Sequence, residues 1–400
     1  MEHFTIVKSL VRVALAQGES PVQHQVERLA AALRKVDDKD AAALEQLLTR
    51  TSQSKLLTPS RLTKSLSGMP SGGERMSRTI SVPVDRETSA PLATVIFPDD
   101  NTAMLPIFPQ EIAGTISTLL LEWEHHDQIR QAGLEPSLTC LVYGPPGTGK
   151  TTFALWLAKS LGLPAVVARL DGLISSYLGT TARNVGALFS FANRYECVLV
   201  LDEFDAIAKL RDDPNEVGEI KRVVNALLQN IDSRDGRGIT IGLTNHEALL
   251  DPAVWRRFDV QFSVPLPGAQ QRQEIATRSL GNETPHTLAD AKLLAWVSGG
   301  LSGAEIGTMC EKFRKYAIIT AVQDLPPVAV VARLASTTSA GVDRSRVADL
   351  GDEAAAVRAL TADPDISFSQ GELAYLLGVS TKTVSRRIND IGNEGVKNGE

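Results

Sequence analysis

Apolar and polar positions along this 400-residue chain change period several times, and each change predicts a different kind of element. In residues 4–50 apolar side chains recur at helical spacing, at Ile6, Val7, Leu10, Val11 and Val13 and again at Val26, Leu29, Ala30 and Leu33, which predicts two or three helices. Ser20-Pro21 supplies a cap followed by a proline at the first helical position, marking where the second of them begins. From Thr51 to about Glu87 the periodicity gives way to Ser, Thr, Gly, Pro and basic residues around Met69-Pro70-Ser71-Gly72-Gly73, the composition of a linker. A helical pattern returns over Glu111–Gln131. From Thr139 to about Pro267 short apolar runs alternate with amphipathic segments, including helices predicted over Thr181–Asn193 and Glu219–Ile231, which predicts a parallel sheet covered on both faces. Beyond Pro267 the pattern is helical, over Gln270–Ser279, Leu288–Val297 and Ser302–Val322. Ser302 and Glu305 stand three apart as a capping box. Residues 323–365, rich in Ala and Val, read as a helical connection, and no internal repeat is present.

Composition narrows this picture. With 43% hydrophobic residues the chain can bury at least one large core, and its length suggests two or three domains. No stretch approaches the roughly 20 apolar residues of a membrane span, and Met1-Glu2-His3-Phe4 does not open a basic and then apolar leader, so a cytoplasmic protein without membrane contact is expected. Cys140, Cys197 and Cys310 are widely spaced in apolar surroundings, as reduced core thiols would be, and carry no assigned chemistry. The net charge of −6 argues against coating nucleic acid by bulk charge, although a local basic face remains open.

The most specific chemical signal is Gly144-Pro145-Pro146-Gly147-Thr148-Gly149-Lys150-Thr151, set between the apolar run Leu141-Val142-Tyr143 and a helix that continues through Thr152 and Phe153. Glycines let the main chain curl so that successive N–H groups face a phosphate. Lys150 can then reach the β- and γ-oxygens, and the Thr151 hydroxyl can meet Mg²⁺. The helix N-terminus adds its dipole to the anion site. Splitting a triphosphate also needs a held metal, an aligned water and stabilised charge. The buried-strand run Cys197–Leu201 ends in Asp202-Glu203, with Asp202 suited to the metal and Glu203 to polarising water. A second such run, Ile239–Leu243, ends in Thr244-Asn245, where the Asn245 amide can hydrogen-bond water or γ-phosphate, or else cap the next helix. Arg256 and Arg257 follow Asp251-Pro252-Ala253-Val254-Trp255. They are either ordinary surface charge or guanidinium groups offered to a neighbouring subunit's nucleotide.

Over about residues 105–320 these motifs, in this order, resemble the AAA+ ATPases, specifically the AAA clade of ring-shaped unfoldases and remodelling motors. The resemblance implies a doubly wound parallel-sheet α/β P-loop domain followed by a small helical lid, with ATP and Mg²⁺ as nucleotide and metal. Carried over residue by residue, Lys150 and Thr151 belong to Walker A, Asp202 and Glu203 to Walker B, Asn245 to sensor 1, and Arg256 and Arg257 to the arginine-finger segment. Arg-Arg-Phe is shorter than the Arg-Pro-Gly-Arg-Phe of many relatives, which leaves the principal finger open between the two. Gly303-Ala304 stands where other AAA+ branches carry a sensor arginine, so the lid is expected to meet adenosine without that charge. The implied division is a helical N-terminal adaptor (1–50), a flexible linker (51–90), the large nucleotide-binding domain (91–267), the lid (268–322), a helical connection (323–365) and a C-terminal module (366–400).

Two further features bear on what such a motor acts upon. Tyr177-Leu178-Gly179 looks like the clade's central pore loop, in which an aromatic ring wedges between substrate side chains with little sequence preference; an ordinary packed tyrosine is the plain alternative. Asp212–Glu216 has the turn-rich character of a second pore loop. The stretches around Arg169–Gly179 and Leu201–Lys209 look like a bacterial subgroup associated with subtilisin-like proteases and defence against phage. At the other end, Gln370–Ile388 resembles a helix-turn-helix, with Ala374 at a helix crossing, Gly378 at the turn, Val384 in the core and Ser380 as cap. Thr381, Lys382, Thr383, Ser385, Arg386 and Arg387 would then be the candidate DNA contacts, unless the tail is a protein-binding or oligomerisation module. The resulting expectation is a homo-hexameric ATPase that remodels or threads protein, with a protease as possible partner. The alternative is a DNA-binding regulator whose ATPase acts as an assembly switch.

Overall fold

The computed structural model describes residues 74–170, 178–206, 217–234, 238–281, 285–320, 325–337 and 342–397. The N-terminal helices expected over residues 1–50, the first part of the linker, Tyr177 and the Asp212–Glu216 turn lie outside them. Leu178 and Gly179 begin a helix.

Six strands build one sheet: β1 (Thr94–Ile96), β2 (Thr139–Tyr143), β3 (Ala165–Arg169), β4 (Val198–Asp202), β5 (Ile239–Thr244) and β6 (Val260–Ser263). Their spatial order is β1-β3-β4-β5-β2-β6; β1 runs antiparallel to β3 at one edge and the remaining pairs are parallel. The helices of this part are α1 (Gln110–Glu124), α2 (His126–Gln131), α3 (Lys150–Ser160), α4 (Leu178–Ala192), α5 (Val217–Ser233) and α6 (Pro252–Trp255). Side chains alternate across a strand, so a strand covered on both sides must be apolar at every position. In β4, Leu199 and Leu201 pack with Val185, Leu188 and Phe189 of α4 and with Val224 and Leu227 of α5. Val198 and Val200 face the other way, into a cluster with Ile116 and Trp123 of α1 and Phe153 and Leu157 of α3. The central strands therefore end, at their carboxyl edge, in a rigid double-faced core that fixes whatever residue comes next.

Part of the stretch read as flexible linker is docked on this core. Glu74 bridges to Tyr195, its N–H donating to the Arg194 carbonyl at 2.8 Å, and Leu92 and Ala93 are buried. The polar composition works here as turn chemistry. Asp85 accepts from the Glu87 and Thr88 N–H groups, both at 2.8 Å, and also from the Asn184 amide of α4. The Thr88 N–H and its companions hold the Asp85 carboxyl down to about 2.

The rest of the chain is helical: α7 (Ala269–Leu280), α8 (Pro285–Val297), α9 (Gly303–Thr320), α10 (Pro327–Thr337), α11 (Arg344–Asp349), α12 (Glu353–Ala362), α13 (Gln370–Leu377) and α14 (Thr381–Lys397). The capping box forms at α9, with Ser302 N donating to Glu305 at 2.8 Å and Glu305 N donating back to Ser302 Oγ at 3.4 Å. One buried cluster runs through all three segments that the sequence separates as lid, connection and C-terminal module. It joins Ile306 and Phe313 of α9 to Val331 of α10, Leu360 of α12, Leu373 of α13 and Val384 of α14. A polar seam reinforces it where α8 meets α13: Lys292 pairs with Glu372 at 2.7 Å, Tyr375 donates to Asp290 at 3.3 Å, and the His286 ring lies against Tyr375. Gly378 ends α13 in the left-handed conformation, φ 69°.

Burial at this seam pushes Asp290 from its ordinary 3.8 up to about 7 and Tyr375 up to about 12. Between those two values for Asp290 the folded chain holds a proton that the unfolded chain has released, so the stabilisation is full below about pH 4 and fades as pH rises to 7. The fall in urea stability from pH 5 to pH 7.5 is therefore expected to be smaller in Asp290→Asn than in the native chain. An identical fall in both would show that Asp290 does not titrate in this range. His286 and the Lys292–Glu372 pair lie in the same contact, which is why the comparison is made between two chains that share them.

The three cysteines among the described residues are free and buried, and burial raises all three thiols, Cys310 to about 12. Among the described residues no helix is long and apolar enough to cross a membrane.

Candidate nucleotide site

The loop Gly144–Gly149 links the carboxyl end of β2 to α3, which starts at Lys150. Its curl depends on glycine. Gly144 sits at φ 137°, where an added Cβ would lie 2.2 Å from the Val264 carbonyl oxygen, and Gly147 at φ 75°, where it would lie 2.6 Å from Ser302 Oγ. The Lys150 ammonium is buried and donates to the carbonyls of Gly144 and Pro145, both at 2.7 Å, leaving one of its three donors over. Burial pulls its pKa down to about 8, against the attraction of Asp202, Asp205 and Glu247. Thr148 Oγ1 closes the loop on the Pro145 carbonyl at 2.9 Å.

The end of β4 lies beside this loop. Thr151 Oγ1 donates to Asp202 Oδ2 at 3.0 Å, and Asp202 Oδ1 accepts the Glu203 N–H at 2.9 Å. A hydroxyl and a carboxylate brought this close form the hard oxygen pair that suits Mg²⁺. Glu203 adopts φ 55°, a left-handed turn rarely taken by a residue with a side chain, and its carboxylate is paired with Arg169 at the end of β3, 3.1 Å away. Asp205 accepts from Thr244 Oγ1 at 3.1 Å and from the Asn245 N–H at 3.4 Å, and the Phe204 N–H donates to the Leu243 carbonyl at 2.8 Å. These bonds lash the end of β5 to the turn after β4, so Asn245 and Glu203 line one cavity.

That cavity measures about 600 Å³ and is also lined by Gly147 to Thr152, by Ile107 and Met104 ahead of α1, and by Ile275, Gly303 and Ala304 from the helical part. Gly303 and Ala304 reach it because the Ala304 N–H donates to the Gly147 carbonyl at 3.0 Å. All the nucleotide-site and metal-site candidates except Gly144, Pro145, Arg256 and Arg257 line this cavity; Gly144 and Pro145 build its loop from beneath. Arg256 and Arg257 stand elsewhere, after α6. That helix is capped by Asp251, whose side chain accepts the Ala253 N–H at 2.7 Å, and it is held by an edge-on contact of Trp255 with Tyr143. The two arginines differ. Arg257 donates to Asp232 of α5 at 2.8 Å, whereas Arg256 is exposed and has no side-chain bond or ion pair among the described residues.

The candidate DNA contacts on α14 divide as well. Ser380 caps the helix by accepting the Thr383 N–H at 3.1 Å, Ser385 donates to Gln370 at 2.8 Å and Arg387 to Glu353 at 3.4 Å. Thr381, Lys382 and Arg386 are exposed. Sequence reasoning assigned no role to Arg169, Asp205 or Arg278, which the structure places in or against the site, or to Asp232, which it pairs with Arg257. Asp205 had a signal, a further carboxylate in the acidic run after β4; the others had none, because their partners are remote in sequence.

Comparison with known proteins agrees with this geometry. Residues 140–266 match the family described as "ATPase family associated with various cellular activities (AAA)". The chain is 43% identical over 201 residues, half of its own length, to an uncharacterized AAA family ATPase, y4kL, of Sinorhizobium fredii, and 29% identical over 228 residues, 55% of its length, to the proteasome-activating nucleotidase of Methanothermobacter thermautotrophicus. It spans 60% and 56% of those two relatives. A solved structure of the FIGL-1 AAA domain aligns with 64% of the chain, and 90% of itself, at 21% identity and a TM-score of 0.49. A phosphate loop, an acidic strand end and an amide-bearing strand end thus converge on one cavity within residues 140–266, the stretch that matches the AAA family.

Proposed function

We propose that the chain hydrolyses ATP at this cavity as a subunit of a homo-oligomeric ring, a hexamer as the resemblance to the AAA clade implies, and uses the energy to remodel or thread protein. The observation that carries the reading is the convergence of Lys150, Thr151, Asp202, Glu203 and Asn245 on one space. Lys150 and the loop N–H groups hold the β- and γ-phosphates. Thr151 and Asp202 would hold Mg²⁺, which when bound neutralises charge on the phosphate oxygens. Glu203 accepts a proton from the attacking water and Asn245 orients that water or the γ-phosphate. Arg256 of a neighbouring copy supplies the positive charge that the transition state needs, while Arg257, tied to Asp232, fixes the turn that presents it. The exposure of Arg256 and the occupation of Arg257 support this division.

Protein, rather than DNA, is the favoured substrate. One relative is named a proteasome-activating nucleotidase. The side chains of Thr383, Ser385 and Arg387, half of the candidate DNA contacts on α14, are moreover engaged within the chain. A partner protease, and a role in defence against phage, are the finer part of the proposal and rest on the resemblance of the Arg169–Gly179 and Leu201–Lys209 stretches. The pore-loop role of Tyr177 gives the test. Tyr177→Ala is expected to abolish unfolding of a tagged fluorescent reporter while nucleotide affinity, set by the phosphate loop, stays within about twofold. Unfolding at the native rate by this variant would end the threading reading.

A further inference from the structure

The wall of the nucleotide cavity carries a contact that no motif predicts. Two segments clasp the phosphate loop. On one side Pro106 stands so close that a Cβ on Gly149 would lie 3.0 Å from it. On the other, Ser302 and Ala304 stand against Gly147. Away from the loop these two walls would part, because one belongs to the chain ahead of α1 and the other to the helical part. They are joined by Arg278 of α7, whose Nη1 donates to the Leu105 carbonyl at 2.9 Å. Arg278 lines the cavity together with Met104, Pro106, Ile107 and Ile275, an apolar wall that fits a flat heterocycle. The guanidinium has five N–H donors, and besides Leu105 only Glu274, at 3.7 Å, is near as an ion partner among the described residues. Donors are therefore left for a ribose hydroxyl or a ring nitrogen.

We propose that Arg278 is a positioning residue for the nucleoside end of the bound nucleotide: it staples α7 to the segment before α1, so that release requires its bond to Leu105 to open. This rests on the reading of the cavity as a nucleotide site and adds a residue that sets exchange. A bond between a charged donor and a main-chain carbonyl is strong enough to hold two walls together and weak enough to break during turnover. Because it acts only on the nucleoside, it leaves phosphate binding alone.

The experiment uses the full chain in its native form and as Arg278→Ala, Arg278→Gln and Arg278→Lys. Release of a fluorescent ADP analogue is followed by stopped flow, and inorganic tripolyphosphate is titrated as a probe that lacks a nucleoside. In Arg278→Ala and Arg278→Gln, release is expected to accelerate about tenfold and ADP affinity to fall accordingly, with tripolyphosphate affinity within about twofold of native and Tm unchanged. Arg278→Lys, which keeps a donor on a shorter reach, recovers part of the loss. Unaltered release in both Arg278→Ala and Arg278→Gln, or an equal loss of ADP and tripolyphosphate affinity, overturns the staple. If the native chain bound neither probe, the fault would lie in the nucleotide-site reading itself, and the staple would fall with it.

Discussion

Glu203→Gln is expected to lower ATP turnover by about three orders of magnitude, within the range that a positioned general base supplies, while ATP is still bound. The size of the loss follows from where the residue stands. Glu203 occupies the first position beyond β4, at φ 55°, and is held there by its own N–H on Asp202. Backbone of that kind is retained only where the surroundings over-determine it, here by the buried β4 below and the Asp205 bonds to β5 above. Glutamine preserves the shape and the contact with Arg169 but cannot take a proton from water. Binding survives because Lys150, Thr151 and Asp202 are untouched, so the variant should retain ATP and accumulate in the assembled form. A malachite-green phosphate assay together with filter binding of labelled ATP checks both halves, and turnover within threefold of native would remove Glu203 as the base.

Arg256→Ala should cost about 10³-fold in turnover at unchanged ATP affinity, the lower end of what a guanidinium supplied across an interface contributes. Arg257→Ala is expected to cost less, and to be matched by Asp232→Ala, because those two side chains act on each other. The geometry underlies the ranking: Arg257 is engaged with the end of α5, whereas Arg256 follows the last residue of a short, capped helix and is exposed. Mixing tests the direction of action. Lys150→Ala subunits cannot bind nucleotide but carry an intact Arg256, so adding them to Arg256→Ala subunits should restore part of the lost turnover. If no ratio of the two restored any, the arginine would act within its own subunit or not at all.

Much of this was legible before the fold was known, and for a local reason. The strands announce themselves because burial on both faces demands unbroken apolar runs, as in Val198–Leu201 and Ile239–Leu243. The phosphate loop is a contiguous run whose glycines serve its own backbone, and Asp202, Glu203 and Asn245 sit directly after strands whose ends must meet in a parallel sheet. Other features were not legible. Ser, Thr, Pro and Arg between residues 74 and 90 suggested slack chain, yet Asp85 folds them into a turn that closes on Asn184, 99 residues later. The lid, the connection and the tail looked like three modules, because amphipathic helices reveal an apolar face without revealing which neighbour covers it.

The order of chemical groups along the chain, and with it the type of sheet, was determined by the sequence alone, since each group is set by neighbours within a few residues. Tertiary structure alone decided which of two adjacent arginines is engaged, through Asp232, and brought Arg278 to the cavity, where it bonds Leu105 across 173 residues. It also decided that α7 to α14 share one core. Such pairings depend on how separately formed elements pack, and no periodicity within an element encodes its partner.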